Sequence, residues 1–574
     1  MNNVSVVIAG EAGQGIQTVE HALTTVLKNS GFHVFSTKEY MSRIRGGTNS
    51  AEIRFSPDRR VRSYVERIDI LVPLSRNSVE HVWKRINEQT LIICDSEDFS
   101  NHPLLENRPN TIRLEIKKSA ASIGNLIYAN SVIVGILAEL LGIEKKEIEK
   151  YLQKRFESKG DDIVSNNIKA AEVGRELLRK DETHKKEGKS YSWAEFSERK
   201  NEKGNNASTE LLLSGTEAVA LGAIAGGCNF VASYPMSPST GVLTFLAANA
   251  KRFGIVVEQA EDEISAINMS IGAWYAGARG FVTTSGGGFS LMEEGISLAG
   301  MTETPVVVHL AQRPGPATGL PTRTEQGDLE LAVHSGHGEF PRVVFAPGTL
   351  EEAYNIASYA FFIADKYQVP VIIMTDQYFV DSIYNVQGIS ITPDIHRENH
   401  VTIADRDYKR YRITEDGISP RAIPGQGEGR VKVDSDEHDE HGMITESFEV
   451  RKAMVEKRLR KAETMHRNGH VIKPKLEGPE NYTNLVVCWG STYHAVKEAL
   501  EEGNLNSTAL LHYSQVWPLH SSTKEILEKA DKIVSVENNA TAQFSRIITR
   551  ETGVVIQDRV LKYDGLPFCP SQLN

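Results

Sequence analysis

Glu258, Glu261, Asp262 and Glu263 crowd the start of a small-residue stretch that extends to Ala278. Carboxylates at a helix N-terminus are favourable by roughly 0.3–1 kcal/mol each, so the dipole accounts for most of them. One remains able to act as a general acid or base. Upstream, Tyr234-Pro235-Met236-Ser237-Pro238-Ser239-Thr240-Gly241 follows an apolar strand pattern. Its prolines fix the backbone while Ser237, Ser239 and Thr240 offer hydroxyls, which suits a ligand loop at a strand's carboxyl end. A plain turn into a helix cap accounts for it equally. Downstream, Thr284-Ser285-Gly286-Gly287-Gly288 closes another strand pattern, and the stretch from His309 through Gln312-Arg313 to Thr322-Arg323-Thr324-Glu325-Gln326 brings two cations. These are successive loops at what should be the same edge of one sheet.

Three further segments carry weaker signals. Gly10-x-x-Gly13-Gln14-Gly15 sits between a strand pattern at 4–10 and a helical pattern at 16–29. Such a loop can cradle a phosphate, or can merely allow tight strand–helix packing; its glycine order is not the dinucleotide one. Ser42-Arg43-Ile44-Arg45-Gly46-Gly47-Thr48 suits a polyphosphate, or is a surface loop with solvated arginines. Glu437-His438-Asp439-Glu440-His441 has two histidines three apart but no further ligand set, so it reads as a structural loop and no metal ligands are assigned.

The elements that position these residues follow from pattern and length. A chain of 574 residues exceeds one core and suggests three or four domains. A first α/β domain, with a parallel sheet expected, occupies 1–183, and a polar Lys/Glu/Asn-rich linker follows at 184–208. A second α/β domain spans 209–390, its strands near-continuous apolar runs of the kind found in sheets covered on both faces. An irregular segment at 391–475 ends in a charged helix from Ser447 to Asn468, and a third α/β domain fills 476–574. The net charge of -11 argues against nucleic acid. The runs Lys185-Lys186 and Arg458 to Lys461 read as solvated helix faces. The N-terminal stretch lacks a signal-peptide pattern and no apolar run spans a membrane, so a cytoplasmic location is expected. Four scattered cysteines without a Cys-x-x-Cys pair suggest no disulfide, zinc or iron–sulfur site, leaving any cluster to another chain.

Taken in order, Tyr-Pro-x-Ser-Pro-Ser-Thr, Glu-Asp-Glu-Ile-Ser-Ala, Thr-Ser-Gly-Gly-Gly and Gln-Arg-x-Gly-Pro-x-Thr-Gly-Leu-Pro-Thr-Arg-Thr-Glu-Gln closely resemble the alpha subunit of 2-oxoacid:ferredoxin oxidoreductases. Gly-Glu-Ala-Gly-Gln-Gly-Ile with Arg-Gly-Gly resembles the family's gamma domain, fused here at the N-terminus. The Glu437–Gly442 and Val536–Thr541 segments resemble later alpha segments. The resemblance covers nearly the whole chain except the linker. It implies a gamma-type domain, a thiamine-diphosphate pyrimidine-binding domain and a transketolase-C-like domain.

The implied reaction is CoA-dependent oxidative decarboxylation of a 2-oxoacid, 2-oxoglutarate first among candidates, to acyl-CoA and CO2 with reduction of ferredoxin. By resemblance Glu263 is the activating glutamate, held against N1′ of the aminopyrimidine, with Glu258 and Glu261 as rivals. Ser237, Arg313 and Tyr234 fall at substrate positions, with Arg323 as an alternative cation. Met236-Ser237 stands where relatives more often have Ile-Thr. Pro235, Ser285 and Gly286 fall at cofactor positions. Gly13, Gln14, Gly15 and Arg45 would meet coenzyme A. The Gly-Asp-Gly diphosphate motif is not visible: Gly327-Asp328-Leu329 and Gly160-Asp161-Asp162 lack the third glycine. Mg2+, the diphosphate and a [4Fe-4S] cluster are therefore expected on a beta subunit, in an αβ or (αβ)2 assembly. An indolepyruvate-type or other thiamine-dependent half-enzyme, or a non-catalytic scaffold subunit, are the alternatives.

Overall fold

A computed structural model describes residues 3–41, 47–181, 207–389, 398–503 and 507–573. The expected linker, with Lys185-Lys186, lies almost wholly outside them. Contacts divide the chain into two compact units: Met1–Leu213 with Ser382–Gly388, and Ser214–Asp381 with Ile389–Asn574.

The first unit is built on an eight-stranded sheet whose centre is Val4–Glu11. This run is apolar on both faces because both are covered. Val4, Val6 and Ile8 join one cluster with Val19, Leu23 and Ile133, and Val7 and Ala9 join another with Val79, Val82 and Phe99. Ile70–Pro73, Leu91–Asp95 and Thr111–Leu114 extend it in parallel on one side. On the other side Thr48–Ser56 and His33–Glu39 pair antiparallel, so the sheet is mixed where a parallel one was expected. The strand Ile383–Val386 pairs with His33–Glu39. Residues 382–388 therefore belong with this unit, although the sequence reading put them in the 209–390 domain.

In the second unit a seven-stranded sheet runs, in spatial order, Gln515–Trp517, Val343–Phe345, Pro370–Asp376, Val306–Gln312, Gly280–Thr284, Phe230–Ser233, Val256–Gln259. All neighbours are parallel except the first strand, which is antiparallel. A five-stranded sheet from Lys475 to Leu561 forms the C-terminal part. The two sheets share one apolar core in which Val282, Val308 and Leu310 join Leu485, Val487 and Leu511. The stretch 476–574 thus has its own sheet, one face of which enters this shared core while the other packs a cluster of its own around Cys488, Val496, Leu510 and Phe568.

The segment before that sheet is more ordered than its composition suggests. It holds the two-stranded pair Thr402–Ala404 and Ala422–Gly427, then the helix Phe448–Arg467, capped by Ser447 through its hydroxyl to the Val450 N–H. The reading of Arg458 to Lys461 as a solvated face is corrected. Lys457, Arg458 and Lys461 are buried, and both lysines pair with the buried Glu303 at 2.6 and 2.5 Å. Burial alone would raise the Glu303 carboxyl; the two lysines outweigh it and hold it well below the usual range. The Glu437–His441 loop is anchored to this helix, Glu437 pairing with Arg451 and Arg458. Its buried His438 packs on Tyr411 with ring centroids 3.8 Å apart.

Candidate active site

Four of the motifs follow four adjacent, mutually parallel strands of the seven-stranded sheet, so their loops leave its carboxyl edge together, where open α/β sheets bind ligands. After Val256–Gln259 the chain passes exposed Glu261 to Asp262, whose carboxylate accepts from the Ser265 N–H at 2.7 Å and caps the helix Glu263–Tyr275. Glu258 is exposed on its strand. Glu263 differs from all three. It is only 3% exposed, and its Oε1 has no hydrogen-bond partner among the described residues.

The strand Gly280–Thr284 delivers the glycine turn against this carboxylate. A Cβ placed on Gly288 would lie 2.5 Å from Glu263 Oε1, and one on Gly286 would overlap the Asp328 carboxylate. Hydrogen in place of a side chain is what lets two acids approach one backbone turn from either end. Ser285, fully buried, opens this turn with its Oγ also unpartnered among the described residues. Asp328 Oδ2 is in the same condition. Buried polar atoms left without partners cost about 1–3 kcal/mol each, so three around one turn point to a bound molecule that satisfies them.

The strand Val306–Gln312 ends in Arg313, whose Nη1 donates to the Ser237 carbonyl at 2.7 Å. Two residues 76 positions apart are thereby brought together, with half-buried Pro235 and exposed Tyr234 on the same loop. Ser237 is exposed. The support beneath is polar and buried. The Ser233 hydroxyl accepts from the Thr283 N–H at 2.9 Å, and His309 bridges Thr283 and Thr375 at 2.8 Å to each. Burial pushes this imidazole down to about 3, so it stays neutral.

Beyond Arg313 the loop is tied down at several points. Gln312 accepts from the Asp328 N–H at 3.0 Å, and Thr324 donates to Asp376 at 3.0 Å. Gln326 donates to the Trp489 carbonyl at 2.9 Å and accepts from the Asn538 N–H at 3.0 Å. The Val536–Thr541 segment thus meets this loop, while Glu537 accepts from the Phe544 and Ser545 N–H groups and caps the helix that follows. Arg323 lies on the same loop, packed beside Gly565.

Asp328, Gln312 and His309 were not singled out by sequence reasoning. Asp328 was weighed there only as a diphosphate motif. The missed signal was the spacing: a carboxylate fifteen positions after Arg313, on one loop, facing three consecutive glycines.

In the first unit Gly13 and Gly15 take left-handed φ values of 89° and 83° ahead of the helix Ile16–Asn29, and Gln14 turns back so that its amide oxygen accepts from the Glu11 N–H at 2.8 Å. The Asn130 side chain fills the space a Cβ on Gly15 would need. Arg45 lies outside the described residues.

Residues 221–457 match the family described as pyruvate flavodoxin/ferredoxin oxidoreductase, thiamine diP-bdg, and residues 5–177 match pyruvate ferredoxin/flavodoxin oxidoreductase. The 2-oxoacid:ferredoxin oxidoreductase subunit alpha of Sulfolobus sp is 33% identical over 100% of this chain and 96% of its own. The 2-oxoglutarate synthase subunit KorA of Methanothermobacter thermautotrophicus is 31% identical over 63% of this chain and 97% of its own. Among solved structures, the 2-oxoglutarate:ferredoxin oxidoreductase of Magnetococcus marinus, with 2-oxoglutarate, coenzyme A and succinyl-CoA bound, superposes with a TM-score of 0.87 at 26% identity, covering 100% of this chain and 98% of that one. No helix among the described residues is long and apolar enough to cross a membrane. The chain belongs to the 2-oxoacid:ferredoxin oxidoreductase family, as an alpha subunit of that oxidoreductase.

Proposed function

We propose that this subunit serves an enzyme that oxidatively decarboxylates 2-oxoglutarate, using coenzyme A as acyl acceptor and ferredoxin as electron acceptor. The observation that carries the reading is the convergence of Glu263 Oε1 and Ser285 Oγ, buried and unpartnered, on a glycine turn beside the Arg313–Ser237 pair. The preference for 2-oxoglutarate is supported by the names of the Magnetococcus and Methanothermobacter relatives.

The residues fit the pyrimidine half of thiamine diphosphate. Glu263 would hold the ring through a proton at Oε1 and Ser285 would donate from Oγ, the two groups whose buried oxygens have no partner among the described residues. Bound thiamine diphosphate supplies the carbon nucleophile and electron sink of the decarboxylation. Arg313 binds the substrate carboxylate, with Ser237 and Tyr234 orienting it from the adjacent loop. Gly13, Gln14, Gly15 and Arg45 take coenzyme A phosphates. Mg2+, the diphosphate and a [4Fe-4S] cluster belong to a beta subunit, in an αβ or (αβ)2 complex.

The test is co-expression with the beta subunit and assay of viologen reduction against a panel of 2-oxoacids. Reduction should require both a 2-oxoacid and coenzyme A, with 2-oxoglutarate preferred. Glu263→Gln should lower kcat by about a hundred- to ten-thousand-fold. Full turnover by that variant would remove Glu263 from the chemistry, and preference for pyruvate would overturn the substrate.

A further inference from the structure

Asp328 lies outside the Glu263–Ser285 and Arg313–Ser237 pairs, yet it faces the same turn. Its side chain approaches Gly286 so closely that no Cβ would fit there, while its backbone N–H is held by Gln312 Oε1 at 3.0 Å. The backbone of Asp328 is therefore fixed, and its carboxyl lies against the Gly286 turn. Its Oδ2 is buried and has no hydrogen-bond partner among the described residues. The charged groups acting on it are Glu325 and Arg313, both on its own loop. The packed turn presents Ser285 and glycines, and the helix Gln543–Thr552 presents Gln543 to the neighbouring Gly327 carbonyl at 2.7 Å, its charged Arg546 being paired with Glu330 at 3.3 Å. Asp328 thus stands within electrostatic reach of the guanidinium that takes the substrate carboxylate, without forming an ion pair with it.

We propose that Asp328 is a substrate-recognition residue of this site that takes up a proton when the anionic substrate binds beside Arg313. The inference rests on the functional reading above. Two carboxylates near one arginine repel unless one is neutral, and a protonated Asp328 gains an O–H donor for the ligand. The free site is poised for this: burial, with Glu325 adding to it and Arg313 opposing, pushes the carboxyl up to about 6. Near pH 7.5 it is ionised when empty, and an arriving anion raises it further. A substrate with a second carboxylate gains most, since a neutral Asp328 removes a repulsion that a monocarboxylate feels less.

The experiment is calorimetric titration of 2-oxoglutarate into the full complex at pH 7.5 in buffers of different ionisation enthalpy. A Glu263→Gln background suppresses turnover. Binding should draw up to about one proton per site from the buffer, and adding Asp328→Asn should abolish the uptake while Glu325→Gln retains it. In the otherwise wild-type enzyme KM should rise about tenfold per pH unit above the titration, and Asp328→Asn should flatten that limb. Uptake that persists in Asp328→Asn, or vanishes only in Glu325→Gln, overturns the proposal. Binding of 2-oxoglutarate without proton uptake overturns it alone. Failure of the complex to bind any 2-oxoacid overturns the functional reading as well.

Discussion

Glu263 and Gly288 form one device at the scale of single residues. The acid is held against the turn by its helix, and the turn is held by Ser285 at the end of a buried strand, so the gap between them has no slack. A methyl group at Gly288 would sit 2.5 Å from Glu263 Oε1 and closer still to the Thr284 hydroxyl. Gly288→Ala should therefore leave the chain folded and soluble while lowering kcat at least as far as Glu263→Gln does. Steady-state kinetics with circular dichroism checks this, and unchanged kcat would mean that the carboxylate has room to move. At this scale the sequence was informative where a residue type is rare. Four acids in six positions and three glycines in a row stand out in any chain, and Arg313 with its Pro-Gly-Pro neighbours does too. It was uninformative where role depends on an atom's neighbours. Nothing in Glu258, Glu261, Asp262 and Glu263 as letters tells which one is buried without a partner.

The helix Phe448–Arg467 makes the same point for elements. Its ends were readable, because Ser447 before a polar helical pattern and Asn468 after it are ordinary start and stop signals. Its inward face was not, because that face is charged: Lys457 and Lys461 lie one turn apart and converge on Glu303, 154 and 158 positions away in sequence. The strand Thr48–Ser56 was hidden in a similar way. Ala51, Ile53 and Phe55 alternate as a half-buried strand should, but the opposite face buries Glu52 against Arg85 and Arg54 against Asn3. For the lysine pair the energetics give a clear expectation. Glu303→Gln strands two buried cations and should cost roughly 3–5 kcal/mol, whereas replacing Glu303, Lys457 and Lys461 together by methionine should restore much of that loss. Urea-dependent protection from proteolysis of the second unit measures both. The sign of the pH effect follows from the depressed Glu303 carboxyl. Its contribution is fully present above the unfolded carboxylate range, about pH 4.3, and fades as pH falls through the lower folded value. The wild-type advantage over the triple variant should shrink below that pH. If Glu303→Gln and the triple variant were equally unstable, uncompensated charge would not be the cause.

At the scale of the second unit, the sequence separated what the fold joins. Strand patterns after Asn484 read as an independent domain, and their sheet is indeed distinct, but periodicity carries no information about whose core a strand's apolar face enters. Here Leu485, Val487 and Leu511 enter the core of the ligand-bearing sheet. The polar counterpart of that shared core is Gln326. Its two side-chain hydrogen bonds reach Trp489 and Asn538, on neighbouring strand ends of the five-stranded sheet, and its own N–H donates to the Asn538 carbonyl at 2.7 Å. Gln326 is fully buried, so truncation leaves the Asn538 N–H without its acceptor at about 1–3 kcal/mol, while the Trp489 carbonyl keeps only the Thr492 hydroxyl, at 2.7 Å. The loop that carries Arg313 and Asp328 is fastened at this point to the C-terminal sheet, so damage there should register in the site. Gln326→Ala should accordingly speed hydrogen exchange at the Asn538 amide while Val487 and Leu511 stay protected, and should raise KM for the 2-oxoacid more than it lowers kcat. Exchange that accelerates across the whole C-terminal sheet would instead mean that Gln326 stabilises that sheet rather than fastening the loop to it.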